Sequence, residues 1–210
     1  PILDRKKNII NLDLKNKKDK VIAEKLISKA DILIEGFRPG VMERLGLGPT
    51  DCEKINVKLI YGRITGWGQD GPYAKKAGHD INYLAITGAL NAIGNKETPP
   101  IPPLNLLGDY AGGTMFLIMG ILSALWERNN SKKGQVVDAA MIEGVPALMS
   151  LIHTFVSEKN WNNTRSSNLL DGGCPYYRCY ETKDGLFVSV GALENKFFAI
   201  LIEKLELNQN

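Results

Sequence analysis

The sequence predicts an α/β fold with a doubly wound domain, in which helices cover both faces of a mainly parallel sheet. Short apolar runs alternate with amphipathic helical patterns over the first two thirds of the chain, as in parallel βαβ units. The composition, 44% apolar and 23% charged over 210 residues, is that of a globular protein rather than a disordered segment. After Gly172-Gly173 two short strands and a helix follow, which predicts the start of a second, α+β domain.

Four short apolar runs are predicted to form the strands of the main sheet. They are residues 9–14, 31–35, 59–64 and 135–138. The run 59–64 is almost continuously apolar, as expected for a strand buried on both faces. Ligands bind beyond the carboxyl ends of such strands, so the residues that follow the runs are candidate ligand contacts. No Gly-x-Gly-x-x-Gly pattern follows a strand in this domain, so a dinucleotide fingerprint is absent there.

The predicted helices alternate with these strands. Their predicted starts are Asp19 (as an N-cap), Val41, Thr50 or Asp51, Asp80, Asp109, Ala139 and Glu194. The helix from Ala139 is predicted to be long and continuous to about residue 156. Residues 95–103 contain four prolines, which indicates a surface connection. Near the end, residues 176–180 and 186–190 flank Lys183-Asp184-Gly185, a pattern typical of a β-hairpin.

The helix predicted over residues 109–128 has no charged side chain between positions 110 and 126. That length is at the lower limit for a membrane span. Charged residues bound the stretch and three glycines lie within it, so we interpret it as a buried core helix and expect no membrane partner.

Charge and cysteine content exclude several classes of function. The net charge is only +3, which gives no support for a nucleic-acid partner. Basic side chains nevertheless concentrate in residues 1–20, where they form either a solvated surface or a site for a phosphorylated small molecule. Cys52, Cys174 and Cys179 are odd in number and form no Cys-x-x-Cys pair. They predict a reducing compartment such as the cytoplasm, and no Cys/His cluster has metal-ligand spacing.

Two proton-transfer groups stand at predicted helix starts. His79 is either an ordinary cap or a base, because the positive end of a helix dipole favours the neutral imidazole. Asp109 is either an N-cap or a functional carboxylate beside unpaired backbone N–H groups, which can also stabilise an oxyanion. Only the fold could bring these two residues together. If they face each other across a substrate carbon, the chemistry is proton removal and return.

Several other residues are weaker indications of a binding site. Gly112 and Gly113 lie one turn into the helix of Asp109 and would leave room for a ligand. Lys15, Arg38 and Arg44 follow predicted strands and are candidate phosphate contacts, although a single basic residue in such a place is more often an ordinary surface residue. His153 lies within an apolar helical pattern and is interpreted as structural.

At this point the sequence resembles the α-methylacyl-CoA racemase branch of the family III CoA-transferase superfamily. The resemblance rests on motifs such as Gly-His-Asp at 78–80 and Gly-Asp-Tyr-Ala-Gly-Gly at 108–113. The matching stretches are residues 12–15, 35–49, 59–63, 77–85, 108–113, 134–139 and 170–173.

The resemblance implies a Rossmann-like large domain over residues 1–140 and a linker helix and loop over 141–175. Residues 176–210 would begin a small α+β domain. It further implies that the chain is a fragment, without the first βα unit of the family and without its C-terminal part. In the complete protein two subunits would interlock as a homodimer, with the active site at their interface.

The resemblance also assigns roles to residues. His79 and Asp109 would be the two bases that move the α-proton of a 2-methylacyl-CoA thioester through an enolate, and a backbone N–H at the start of the Asp109 helix would hold the enolate oxygen. Glu194 would lie near the histidine. The expected CoA-binding residues are Leu14, Lys15, Arg38, Arg44, Gly78, Asp80, Ile81, Asn82 and Tyr83. No cofactor is implied beyond the CoA of the substrate.

Two other functions fit the same sequence. A family III CoA-transferase would use Asp109 as a nucleophile to form an acyl anhydride, but the transferases typically lack the histidine at the position of His79. A third interpretation is an inactive CoA-binding fragment, and we expect this 210-residue chain to be inactive by itself.

Overall fold

The computed structural model describes residues 2–207 and confirms the α/β fold. Its main sheet has three parallel strands in the order β1-β2-β3. They are β1 (Ile32–Glu35), β2 (Ile60–Thr65) and β3 (Val136–Ala140). The register pairs Ile32 with Ile60 and Tyr61 with Val136. Strand β2 is central and almost wholly buried, as its apolar sequence predicts.

Helices connect these strands, as parallel pairing requires. They are α1 (Lys17–Ile27), α2 (Val41–Arg44), α3 (Pro49–Ile55), α4 (Asp80–Ile86), a π-helix (Leu106–Met115) that continues into α5 (Phe116–Ser131), α6 (Met141–Leu148) and α7 (Ser150–Ser157). Short 3₁₀ helices span Ile2–Asp4 and Leu90–Ala92. The core has two main clusters. Tyr61 belongs to one, with side chains of α1, α2 and α3, and Ile60 belongs to the other, with α5, because alternate residues of a strand point to opposite faces.

The strand predicted over residues 9–14 is wrong. This segment is irregular in the structure, and Ile9 and Ile10 are largely exposed. No strand among residues 2–207 pairs with it, and an apolar run without a neighbour to complete its hydrogen bonds does not become a strand. Leu12 and Leu14 still pack against the cluster that contains Tyr61.

The cap predicted for the first helix is also wrong. The Asn16 side chain caps α1 and accepts the backbone N–H of Lys18 at 2.9 Å. Asp19 lies inside the first turn and accepts the N–H of Asp13 at 2.9 Å instead. Asparagine is as good an N-cap as aspartate, so the local pattern offered two equivalent starting points.

The long helix of Asp109 is less buried than expected. One face packs into the core through Leu117, Ile121 and Ala124, whereas Met119, Leu122 and Trp126 are 58%, 60% and 77% exposed. The helical stretch of 26 residues from Leu106 to Ser131 is long and apolar enough to cross a membrane, with 28% of its most apolar window buried. Length and composition alone are weak evidence for a span, and its packing onto β2 and β3 is that of a core helix with one open face.

The single helix predicted from Ala139 to residue 156 is two helices. Ala139 and Ala140 belong to β3, and the helical segment is interrupted at Met149, between α6 and α7. Pro146 lies inside α6 and provides no N–H for the helical hydrogen-bond ladder. His153 is exposed and belongs to no core cluster among the described residues.

The predicted hairpin and last helix are confirmed. Strands β4 (Tyr177–Glu181) and β5 (Phe187–Gly191) pair antiparallel as a separate two-stranded sheet. Glu194 is the N-cap of α8 (Asn195–Lys204). The domain boundaries at residues 140 and 175 stay a prediction.

The described fold leaves an unusually large surface open. The accessible area is 14697 Å², whereas a compact monomer of 23.2 kDa would expose roughly 9,700 Å². The excess includes the open face of α5 and an apolar groove of about 460 Å³ between the β4–β5 sheet and α8. Apolar surface of this extent normally contacts further protein.

Candidate active site

A cavity of about 280 Å³ lies beyond the carboxyl ends of β1 and β2. Arg38, Trp67, Gly78, His79 and Tyr83 are among its lining residues. This is the edge of a parallel sheet where ligands are expected. Four of the five residues, all except Trp67, were candidates from the sequence.

Close packing of aromatic rings shapes this cavity. The rings of Trp67 and Tyr83 meet edge to face with centroids 4.7 Å apart. A Cβ atom at Gly66 would lie 1.9 Å from Tyr83, and one at Gly78 would lie 2.8 Å from Trp67. Trp67 follows the run 59–64, at a strand end where the sequence predicts ligand contacts, but it was not among the expected CoA-binding residues. Its indole nitrogen is buried and has no hydrogen-bond partner among the described residues.

His79 occupies the N-cap position of α4, as the sequence predicts. Its backbone N–H donates to Asn82 Oδ1 at 3.0 Å, and its carbonyl accepts the N–H of Asn82 at 2.8 Å. These bonds fix the backbone of His79, while the residue remains exposed. Because the residue is exposed and lines the cavity, its imidazole ring can meet a ligand there.

Asp109 does not line the cavity, but one specific contact links its backbone to the neighbouring helix α4. Its backbone N–H donates to the carboxylate of Asp80 at 2.7 Å, across 29 positions of sequence. Asp80 follows His79 directly in the chain, so this bond links the start of α4 to the first turns of the π-helix that carries Asp109. Burial raises the pKa of Tyr83, the negative charge of Asp109 adds to the increase, and Arg38 opposes it. The charge of Asp109 therefore acts on a ring that lines the cavity.

Two expectations about the Asp109 helix are corrected. The helix begins at Leu106 with Asn105 as its N-cap, so Asp109 lies inside its first turns and is not the N-cap. The backbone N–H of Asp109 is already bonded to Asp80, and the donation of a backbone N–H from this helix start to an enolate oxygen stays a prediction. Gly112 and Gly113 do not make room for a ligand, because both are buried in helix packing. A Cβ atom at Gly112 would lie 2.7 Å from Val145 of α6.

The remaining predicted residues lie outside the cavity lining. Arg44 is exposed at the end of α2, Leu14 and Lys15 precede α1, and Ile81 and Asn82 are exposed on α4. The Asp80 side chain is only 8% exposed and faces the Asp109 backbone. Glu194 makes no hydrogen bond or ion pair to His79 in the described part of the chain. The roles of these residues in binding and catalysis stay predictions.

A buried ion pair supports the loop that carries Arg38. Glu35 Oε1 accepts Arg63 Nε at 2.8 Å, and Glu35 Oε2 accepts the backbone N–H of Phe37 at 2.8 Å. Arg63 also reaches Glu43 at 2.8 Å. The carboxyl ends of β1 and β2 are thereby joined directly below the cavity.

No cluster of His, Cys, Asp and Glu among residues 2–207 has the arrangement of a metal site. The side chains that line the cavity include cations, aromatic rings and one imidazole. Cations suit phosphate groups and imidazole suits proton transfer.

Known proteins are similar to this chain in sequence. Alpha-methylacyl-CoA racemase of Mus musculus is 46% identical over 205 residues, which cover 98% of this chain and 54% of that protein. Succinyl-CoA–D-citramalate CoA-transferase of Chloroflexus aurantiacus is 34% identical over 205 residues, covering 98% of this chain and 50% of that protein. The chain thus spans about half the length of these relatives.

The fold is also found in solved structures. A CAIB/BAIF family protein from Brucella suis superposes with a TM-score of 0.79 at 25% identity, covering 96% of this chain and 52% of that one. The sequence matches CoA-transferase family III over residues 1–210. Because this match extends over the full sequence, the chain belongs to CoA-transferase family III.

Proposed function

We propose that the complete protein is a racemase that interconverts the (R)- and (S)-forms of 2-methylacyl-CoA thioesters. His79 and Asp109 are the two bases of a 1,1-proton transfer, in which one removes the α-proton and the other returns a proton to the opposite face. The observation that carries the proposal is the 2.7 Å bond between Asp109 N and the carboxylate of Asp80. It joins the backbone of Asp109 to the residue next to His79.

The chemistry follows from the thioester. A proton next to a thioester carbonyl is only weakly acidic, so its removal needs a positioned base and stabilisation of the enolate. Two bases on opposite faces allow inversion without a redox step, and the proposal needs no cofactor beyond the CoA of the substrate. Arg38 and Lys76 line the cavity and are suited to CoA phosphates.

A second candidate is a CoA-transferase that forms an anhydride on Asp109. The relative from Chloroflexus aurantiacus favours it, because that protein is named as a transferase. His79 at the cavity favours the racemase, since an acyl anhydride on Asp109 needs no second base. The higher identity to the racemase, 46% against 34%, points the same way.

Deuterium exchange separates the candidates. The complete gene product, incubated in D₂O with a 2-methylacyl-CoA of one α-configuration, is expected to incorporate α-deuterium and to yield both α-configurations. CoA transfer to an added carboxylic acid, with hydroxylamine trapping of an acyl group on Asp109 and no exchange, would instead establish the transferase. Bound thioester with neither reaction would leave a CoA-binding protein.

The active complete protein, on this proposal, is a homodimer in which the partner subunit's Glu194 approaches His79. The 14697 Å² of accessible surface supports it, because the described fold leaves apolar faces for further protein to cover. The unpaired cysteines support a reducing compartment such as the cytoplasm, and fluorescence imaging of the tagged complete protein tests that location.

Complementation tests the shared site. Co-expressed His79→Ala and Glu194→Ala chains are expected to recover racemisation, to about a quarter of wild-type sites for random pairing in a two-fold symmetric dimer. Recovery occurs because one of the two sites in each mixed dimer keeps both residues. If Glu194 served the site of its own chain, every site would be defective, and the mixture would show only the sum of the two variants.

A further inference from the structure

The carboxylate of Asp80 links the backbone segments that carry the two candidate bases. Asp80 is the first residue of α4, directly after His79. Its side chain points away from solvent, with 8% of the residue exposed, and Oδ2 accepts the backbone N–H of Asp109 at 2.7 Å. One side chain therefore connects the helix that begins at His79 with the helix that carries Asp109.

The surroundings of this carboxylate are closely fitted. A Cβ atom at Gly108 would lie 2.5 Å from Asp80 Oδ2, so the backbone of the π-helix passes directly over the acceptor oxygen. The second oxygen, Oδ1, is buried and has no hydrogen-bond partner among the described residues. A buried polar atom without a partner opposes folding. Ordinary stability therefore does not explain why a carboxylate occupies this position.

The π-helix supplies a second, independent observation. Asp109 lies within the helical turns of Leu106–Met115, which have π geometry before the chain continues as α5. Such segments are rare and are found mostly at functional sites. Their wider turns change the direction in which side chains project, so the position of Asp109 depends on what anchors this segment. The hydrogen bond from the Asp109 N–H to the Asp80 carboxylate fixes this segment at Asp109 itself.

We propose that Asp80 is a positioning residue, which holds Asp109 at the distance from His79 that proton transfer requires. The inference rests on the proposed function. The Asp80 carboxylate faces the Asp109 backbone and does not line the cavity, so this role is distinct from the predicted contact of Asp80 with CoA. A displacement of about 1 Å at a catalytic group can reduce the rate about 100-fold, and loss of this hydrogen bond would permit such a displacement.

Two matched variants separate position from charge. Asp80→Asn keeps an acceptor oxygen of the same reach but removes the charge, whereas Asp80→Glu keeps the charge but extends the side chain toward Gly108. In the complete gene product we expect Asp80→Asn to retain kcat for α-deuterium exchange within about tenfold. Asp80→Glu should lower kcat about 100-fold and leave KM within about threefold, because CoA contacts are unchanged.

Amide hydrogen exchange at Asp109 is a readout that does not depend on activity. We expect slow exchange of this amide in the wild type and in Asp80→Asn, and faster exchange in Asp80→Glu and Asp80→Ala. Asp31→Ala is the control, since it removes a carboxylate at the opposite edge of the sheet that binds Arg128 at 2.8 Å. That variant should change neither measurement.

The proposal is overturned if Asp80→Asn is less active than Asp80→Glu. If Asp80→Asn loses activity while its Asp109 amide stays protected, the charge of Asp80 matters and its position does not. Unchanged kcat in Asp80→Glu and Asp80→Ala would also refute it, and if one of these two variants does not fold, the other decides. If the wild type transfers CoA through Asp109 without α-deuterium exchange, the racemase proposal is refuted but the positioning role of Asp80 is not. The transfer rates of the same variants then test that role. With neither reaction, amide exchange still tests the positioning.

Discussion

Asp109→Asn in the complete protein is expected to abolish racemisation while leaving α-deuterium exchange on one enantiomer. Each base faces one side of the α-carbon, so removal of Asp109 leaves His79 able to remove and return a proton on its own face only. Positioned acid–base groups contribute about 10²–10⁴-fold, and inversion needs both. We therefore expect racemisation to fall by about 10³-fold or more, with exchange and retention of configuration from a single enantiomer.

His79→Gln is the mirror experiment and is expected to retain exchange on the other enantiomer. Both substitutions are nearly isosteric, so the packing around α4 and the π-helix is preserved. Asp31→Asn is the matched control, because it makes the same change from acid to amide at the far edge of the sheet and should behave as wild type. NMR of the α-position, started separately from each enantiomer, measures all four proteins.

The two-base mechanism predicts a pattern of exchange in the variants that the other mechanisms do not predict. A single base would lose exchange from both enantiomers in one variant and from neither in the other. A transferase would show no exchange in any of the four proteins. Either pattern would contradict the assignment of His79 and Asp109 as opposed bases.

Local sequence predicted much of this site because the relevant signals are local. The apolar run of β2 identifies a buried strand, and the Gly-His-Asp sequence at 78–80 stands at a predicted helix start. The cavity edge follows from the rule for parallel sheets. Each of these inferences depends on neighbours within a few residues.

The features that the sequence did not reveal are long-range or depend on backbone geometry. The bond between Asp80 and Asp109 spans 29 positions, and no helical or hairpin spacing produces it. Gly112 and Gly113 looked like space for a ligand, but Val145 of α6 fills the volume next to Gly112. The pattern around Asp109 predicted a helix, but it did not predict that the first turns have π geometry. In the same way, the run 9–14 lacked a pairing strand, which composition cannot reveal.

Arg63→Met is expected to be the most destabilising of the substitutions considered, because it leaves Glu35 buried without its cation. The side chains of Arg63 and Glu35 are 8% and 3% exposed, and Nε and Oε1 are 2.8 Å apart. Breaking a buried pair by removing one partner costs about 3–5 kcal/mol. Denaturation of the complete protein with guanidinium should show an unfolding free energy lowered by that amount.

A double variant shows whether the cost comes from the unpaired charge. Arg63→Met with Glu35→Gln removes both charges, while the amide oxygen of Gln can still accept the backbone N–H of Phe37, now at 2.8 Å from Glu35. Replacing both partners of a buried pair is often nearly neutral, so the double variant should recover most of the lost stability. Arg128→Met is the comparison, since its partner Asp31 has a side chain 75% exposed and exposed pairs contribute about 1 kcal/mol or less.

The double variant also tests how the ion pair serves the cavity. If Glu35 and Arg63 only stabilise the sheet, the double variant should bind CoA thioesters as the wild type does, because the conformation of the loop that carries Arg38 is unchanged. If their charges hold the loop in place, KM should rise while kcat is retained, as for a loss of uniform binding. Equal destabilisation in the single and double variants would mean that lost packing, and not the unpaired carboxylate of Glu35, accounts for the effect.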